Sequence, residues 1–235
     1  MQWTLVIPLK PLVRAKSRLT PAAGDALRPG LALAFAQDTV AAARACPGVG
    51  DVVVVTDDEH AGRALSVLGA RIVADTPGAG LNAALAHGAA AVRARRPAAP
   101  VGALNADLPA LRSAELAHVL AAAHAFPRAF LPDAAGIGTT FLAAGPGVEL
   151  RPSFGGASRH RHAASGAREL PLAGVDSVRQ DVDTGEDLRA ALALGVGPHT
   201  ARAAADLPLV ARARCGGRAE DAGRVGRADR VECAD

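Results

Sequence analysis

Aromatic residues are almost missing from this chain. Its 235 residues include no Tyr, one Trp and five Phe, so any core must be filled by Ala, Val and Leu. Lysine is almost missing too: of 26 Lys plus Arg, only Lys10 and Lys16 are lysines. The three cysteines, Cys46, Cys215 and Cys233, are odd in number and lack metal-ligand spacing. That excludes a disulfide scaffold and a thiolate zinc site, and suits reduced thiols in a cytoplasmic protein. No apolar run approaches the ~20 residues of a membrane span. The first apolar run is short and is followed, not preceded, by Lys, unlike a secretory signal. No basic stretch is interleaved with aromatics, and the net charge is only +3, which disfavours nucleic-acid binding. Also missing are a Gly-Lys-Ser/Thr phosphate loop, a Gly-x-Gly-x-x-Gly dinucleotide turn, a Ser-His-Asp arrangement and a Cys nucleophile, so redox chemistry on a dinucleotide and covalent acyl transfer are disfavoured.

What remains has the size of one domain, read as residues 1–202. Positions 203–235 are Ala, Arg, Gly and Asp without periodicity and read as a disordered or loosely packed tail. Through the first 130 residues, short branched-aliphatic runs alternate with helical stretches. The expected strands are 4–9, 52–55, 71–74, 101–104 and 128–131. Helices are expected at 20–44 (with Thr20 as cap and a kink at Pro29-Gly30), 59–68, 81–95 and 114–125. Continuous runs such as Val52–Val55 suit strands buried on both faces. The alternation predicts an α/β protein with a mainly parallel central sheet and helices on both faces. Beyond Pro132 the pattern becomes a Gly-rich loop and strand, a short helix opening near Ser158, an edge strand at 175–178, and a last helix at 186–194.

The candidate chemistry gathers at element ends. Both lysines sit in the loop after the first strand, where an α/β sheet puts its ligand. A compact ammonium there suits a phosphate chain. Asp107 follows the fourth strand in Asp-Leu-Pro, and Asp181 and Asp183 precede the last helix. Asp107 and Asp181 are the expected Mg²⁺ ligands and Asp183 the helix cap. Gly136–Thr140 and Gly155–Ser158 offer backbone amides that either cradle an anion or form ordinary tight turns. Arg159, His160, Arg161 and His162 read as a solvated basic face beside the second of them.

In combination these pieces resemble the guanylyltransferases of deazaflavin coenzyme F-420 biosynthesis, the CofC/FbiD family. The matching segments are Ile7-Pro8-Leu9-Lys10, Ala15-Lys16-Ser17-Arg18-Leu19, Val55-Thr56-Asp57, Gly80-Leu81-Asn82-Ala83-Ala84-Leu85 and Ala106-Asp107-Leu108-Pro109. They continue with Gly136-Ile137-Gly138-Thr139-Thr140, Phe154-Gly155, Ser158-Arg159-His160 and Asp181-Val182-Asp183-Thr184. They occur in family order across residues 1–202. The resemblance implies a three-layer, Rossmann-like nucleotidyltransferase fold. It implies GTP over the first loop, with Lys10 and Lys16 at its phosphates and Asn82 near the nucleoside. Asp107 and Asp181 would hold Mg²⁺, and Thr139, Gly155 and Ser158 would bind a phosphorylated three-carbon acid. The expected reaction is GMP transfer to phosphoenolpyruvate with release of pyrophosphate, and hand-over of the product to a downstream transferase. Transfer to 2-phospho-L-lactate, 3-phosphoglycerate, a molybdopterin or a sugar phosphate stays open at this point, as does a non-catalytic nucleotide-binding role.

Overall fold

The computed structural model describes residues 2–205 and 207, those at 20–22 by their backbone alone. From position 208 onward the expected tail, with Cys215 and Cys233, lies outside the described residues. Seven strands form one sheet in the order β3-β2-β1-β4-β6-β5-β7. They are β1 (Trp3–Pro8), β2 (Val49–Val55), β3 (Arg71–Val73), β4 (Val101–Leu104), β5 (Arg128–Pro132), β6 (Thr139–Ala144) and β7 (Arg168–Glu169). Only β6 runs against its neighbours, pairing antiparallel with both β4 and β5. The mainly parallel α/β sheet read from the alternation is the observed one.

Chain order explains where a ligand can bind. The chain moves outward from β1 to β2 to β3, then returns to lay β4 on the other side of β1. At that switch point the loops leaving the carboxyl ends of β1 and β4 border one crevice. Because β6 is reversed, its first residue, Thr139, arrives at the same edge of the sheet as the carboxyl ends of β1, β4 and β5.

Helices cover both faces, and strand parity decides which residues meet them. Leu5, Ile7, Val52 and Val54 face α1 (Thr20–Arg44), α2 (Glu59–Val67) and α4 (Ser113–Ala123). Val6, Val53 and Val55 face α3 (Leu81–Arg95), and α5 (Ser158–Ala164) lies between β6 and β7 in the chain. A third cluster packs α7 (Gly185–Leu194) and α8 (Pro198–Ala203) on α1 through Leu31, Phe35, Leu188 and Ala191, and includes the buried Ala204 and Leu207.

Three expectations need correction. The break in α1 is at Gly24, with φ 75° and ψ 160°, and the helix continues through Pro29 and Gly30. Pro29 lies close to the restart, where few backbone hydrogen bonds are lost. The helix is preceded by Leu19 in the cap position, not capped at Thr20. The segment expected as an edge strand is instead α6 (Asp176–Arg179), with Val175 and Val178 both buried at helical spacing. The sheet edge is taken by β7, which pairs with β5.

Gly88 sets how closely α3 lies on the sheet. A Cβ there would meet Val6 Cγ1 at 2.5 Å and Val55 Cγ2 at 2.7 Å. Both methyls belong to stiff β-branched side chains in the sheet interior. Gly88→Val should therefore lower the urea midpoint at unchanged slope, by roughly 1–3 kcal/mol of overpacking. An unchanged midpoint would mean that the helix can lift from the sheet without cost.

Candidate active site

The loop after β1 begins with Leu9 and Lys10 and contains two single turns of 3-10 helix, Leu12–Arg14 and Ser17–Leu19. Its shape is fixed from two sides. Asp58, the N-cap of α2, accepts from the Leu12 amide at 2.9 Å and from the Ala61 amide at 3.0 Å. These bonds to its charged form hold its carboxyl below the usual range. From α1, Arg28 donates to the carbonyls of Val13, at 3.1 Å, and Ala15. Between these anchors Lys16 takes a left-handed backbone, φ 57°, rare for a residue with a side chain. That turn aims its ammonium inward.

There Lys16 Nζ meets Asp107 Oδ2, and Asp183 Oδ1 at 2.8 Å. Burial favours loss of its proton, but the two carboxylates outweigh burial and hold Lys16 well above the usual lysine range. Asp107 stands just beyond β4, and its carbonyl accepts from the Val182 amide at 3.1 Å, which brings the 181–183 segment alongside. Burial first, then the charges of Asp107 and Asp183, push the Asp181 carboxyl up to about 8. Asp107 Oδ1 is buried with no hydrogen-bond partner. Three aspartates thus gather around one ammonium, and the charges of Arg18 and Lys10 also act on Asp183.

These groups line a cleft of about 500 Å³. Of the residues expected at the site, Lys10, Lys16, Asp107, Asp181, Thr139, Gly155 and Ser158 all border it. Asn82 does not. Its amide is engaged by the backbone of Phe154, accepting from the amide at 2.7 Å and donating to the carbonyl at 3.2 Å. It fastens the Phe154-Gly155 turn to the first turn of α3.

Comparison with known proteins follows this geometry. The sequence model described as guanylyl transferase CofC-like matches residues 3–215. The chain belongs to this family. It is 75% identical to the phosphoenolpyruvate guanylyltransferase of Streptomyces coelicolor over 88% of this chain and 98% of that one. It is 61% identical to the phosphoenolpyruvate guanylyltransferase of Thermomonospora curvata, over 88% and 91%. Among solved structures, it resembles a putative nucleotide-diphospho-sugar transferase from Desulfovibrio desulfuricans with a TM-score of 0.63 at 17% identity, over 93% of this chain and 96% of that one. It also resembles a Mycobacterium tuberculosis protein in complex with manganese, with a TM-score of 0.52 at 23% identity, over 82% and 99%. These likenesses show the nucleotidyltransferase fold.

Several site residues of this family member were not legible beforehand. Asp183 is not the helix cap. Thr184 is, in a reciprocal capping box with Asp187, which frees Asp183 to turn toward Lys16. Its signal was the Thr-x-x-Asp spacing itself. Asp133 accepts from the amides of Ile137 at 2.9 Å and Gly138 at 2.8 Å, folding the Gly-rich loop around its carboxylate. Gly138 must be bare there, because a Cβ would lie 2.3 Å from Asp133 Oδ2. The basic face expected at 159–162 is only partly solvated. Arg159 pairs with Glu169 at 2.7 Å, and Arg161 donates to the Ser153 carbonyl at 3.0 Å. His160 is exposed, but His162 is wholly buried.

Burial, with the charges of Arg128 and Arg161, pushes the His162 ring down to about 4. At neutral pH the ring is neutral in both the folded and unfolded chain. As pH falls below 6.5 the unfolded chain takes a proton that the folded chain refuses until about 4. Stability is therefore lost across that window, by roughly 3 kcal/mol from this residue. Comparing urea unfolding at pH 7 and pH 5, His162→Gln should lose less stability on acidification than the wild type; equal losses would show that His162 takes its proton in the folded state.

Proposed function

We propose that this chain transfers GMP from GTP to phosphoenolpyruvate, releasing pyrophosphate and forming enolpyruvoyl-2-diphospho-5'-guanosine. The observation that carries this reading is the charge cluster at the switch point, in a chain 75% identical to a phosphoenolpyruvate guanylyltransferase. A cleft of about 500 Å³ is within the range that holds small-molecule substrates.

The chemistry follows from what is present. A phosphate oxygen of phosphoenolpyruvate attacks the α-phosphorus of GTP, and the bond from that phosphorus to the bridging oxygen of the β-phosphate breaks. The attacking oxygen is already anionic, so no general base is required. The two anions must be aligned and their repulsion offset, which is positioning and electrostatics. Lys10 and Lys16, with Arg14 and Arg18 on the cleft wall, supply positive charge for the triphosphate. Thr139, Ser158 and the bare backbone of Gly155 also line the cleft, and we assign them to the phospho-acid.

The acidic residues fit Mg²⁺. Asp107 has a buried oxygen free of partners, and Asp181 is crowded by like charge. Among the described residues no group of three His, Cys, Asp or Glu is arranged to hold a metal ion. Two carboxylates with phosphate oxygens and water completing the shell is the usual manner of magnesium. When bound, the ion would neutralise charge on the phosphates. We assign Asp107 and Asp181 as its ligands. Both substrates are cytoplasmic metabolites, and among the described residues no helix is long and apolar enough to cross a membrane. We place the reaction in the cytoplasm, with the product handed to the transferase that consumes it.

Pyrophosphate release should require GTP and Mg²⁺ and be fastest with phosphoenolpyruvate, when 2-phospho-L-lactate and 3-phosphoglycerate are offered in parallel. Faster release with another acid would reassign the acceptor. Asp107→Asn and Asp181→Asn should each lower turnover more than about a hundredfold with folding intact. Retention of most of the rate in either would remove that residue from the metal site. Lys16→Ala should weaken GTP use, and unchanged kinetics would leave Lys16 with a structural role only.

A further inference from the structure

His162 is a buried group for which the transfer chemistry has no evident use. Its ring packs against Phe130 and Phe154, with centroids 5.8 and 5.0 Å away. The Ser153 amide reaches its Nε2 at 3.0 Å. A backbone amide can only donate, so Nε2 must carry a lone pair there. The other ring nitrogen, Nδ1, lies 3.0 Å from Thr139 Oγ1. In a neutral ring with a bare Nε2 the proton is on Nδ1, so His162 donates and Thr139 accepts. The Thr139 hydroxyl then keeps its own proton for another acceptor. Among the described residues Thr139 Oγ1 has no other hydrogen-bond partner, and Thr139 borders the cleft.

We infer that His162 is a positioning residue. By accepting the Ser153 amide on Nε2 and donating from Nδ1, it holds the Thr139 hydroxyl as a hydrogen-bond donor for an anionic oxygen of the phospho-acid. The polarity matters because phosphate and carboxylate oxygens only accept. In the opposite tautomer Thr139 would give its proton to His162 and present lone pairs to the anion. The same ring, through Ser153, fixes the segment that leads into Phe154 and Gly155, so one side chain orients two walls of the acceptor site. Burial, with the positive charges of Arg128 and Arg161 adding to it, keeps the ring neutral and so preserves the arrangement.

This inference rests on the cleft being the site of guanylyl transfer to a phospho-acid, and its test separates the two. His162→Gln keeps an acceptor for Ser153 and removes the Nδ1 proton. It should raise KM for phosphoenolpyruvate about tenfold while leaving KM for GTP nearly unchanged. Thr139→Val should do the same, and adding His162→Gln to Thr139→Val should cost little more, because the two act through one hydroxyl. Equal rises in both KM values, or full additivity, would reduce His162 to a packing residue and overturn the inference. Nitrogen-15 NMR of histidine-labelled wild-type protein reads the tautomer without any variant. A proton on Nδ1 is expected; a proton on Nε2 overturns the inference whether or not the enzyme turns over. Failure of the wild type to release pyrophosphate with any phospho-acid would instead overturn the functional reading.

Discussion

The ammonium of Lys16, set between Asp107 and Asp183, is the contact on which the site depends. It joins three pieces of chain distant in sequence: the loop after β1, the exit of β4, and the segment before α7. Holding a residue with a side chain at φ 57° costs roughly 1–3 kcal/mol, so the loop must be constrained from outside. Asp58 and Arg28 supply that constraint through backbone contacts on either side of the turn. Lysine suits the position better than arginine. A compact point charge can serve two carboxylates here and a phosphate chain when GTP binds.

The same contact limits the chemistry. A lysine attacks phosphorus only as a free amine, and Asp107 and Asp183 keep Lys16 charged. We take transfer to be direct, since the Lys16 amine is protonated and paired. The remaining features suit that demand. The Gly-rich loop is folded on Asp133, the Phe154-Gly155 turn is pinned by Asn82, and Thr139 is oriented by His162. Each spends a polar side chain on holding backbone or hydroxyl groups in place.

Much of the sheet was legible in the sequence because β1, β4 and the Val52–Val55 part of β2 are short, largely apolar runs, and α3 was found with its observed bounds. Lys10, Lys16 and Asp107 border the cleft because they lie in the loops that leave β1 and β4, whose apolar runs are readable in the sequence. The site was less legible where side-chain direction decides. Asp183 and Thr184 are adjacent, and only the reciprocal bond with Asp187 shows which one caps the helix. His162 lies in a strongly basic sequence, Arg-His-Arg-His, and its ring packs on Phe130 and Phe154, neither of them in its own helix. The segment at 175–178 shows the limit of short apolar runs: two valines three residues apart fit a strand end or a helical turn, and packing beneath α4 selected the turn. Asn82 bonds a backbone 72 residues away, a partnership no local pattern encodes.

Direct transfer is tested by stereochemistry at the α-phosphorus. GTP carrying sulfur in place of one non-bridging α-oxygen, as a single diastereomer, would be turned over with phosphoenolpyruvate and the configuration of the product determined. A single in-line displacement predicts inversion. Retention would require two displacements through a covalent guanylyl-enzyme, and would contradict an account in which Lys16 acts only as a fixed charge.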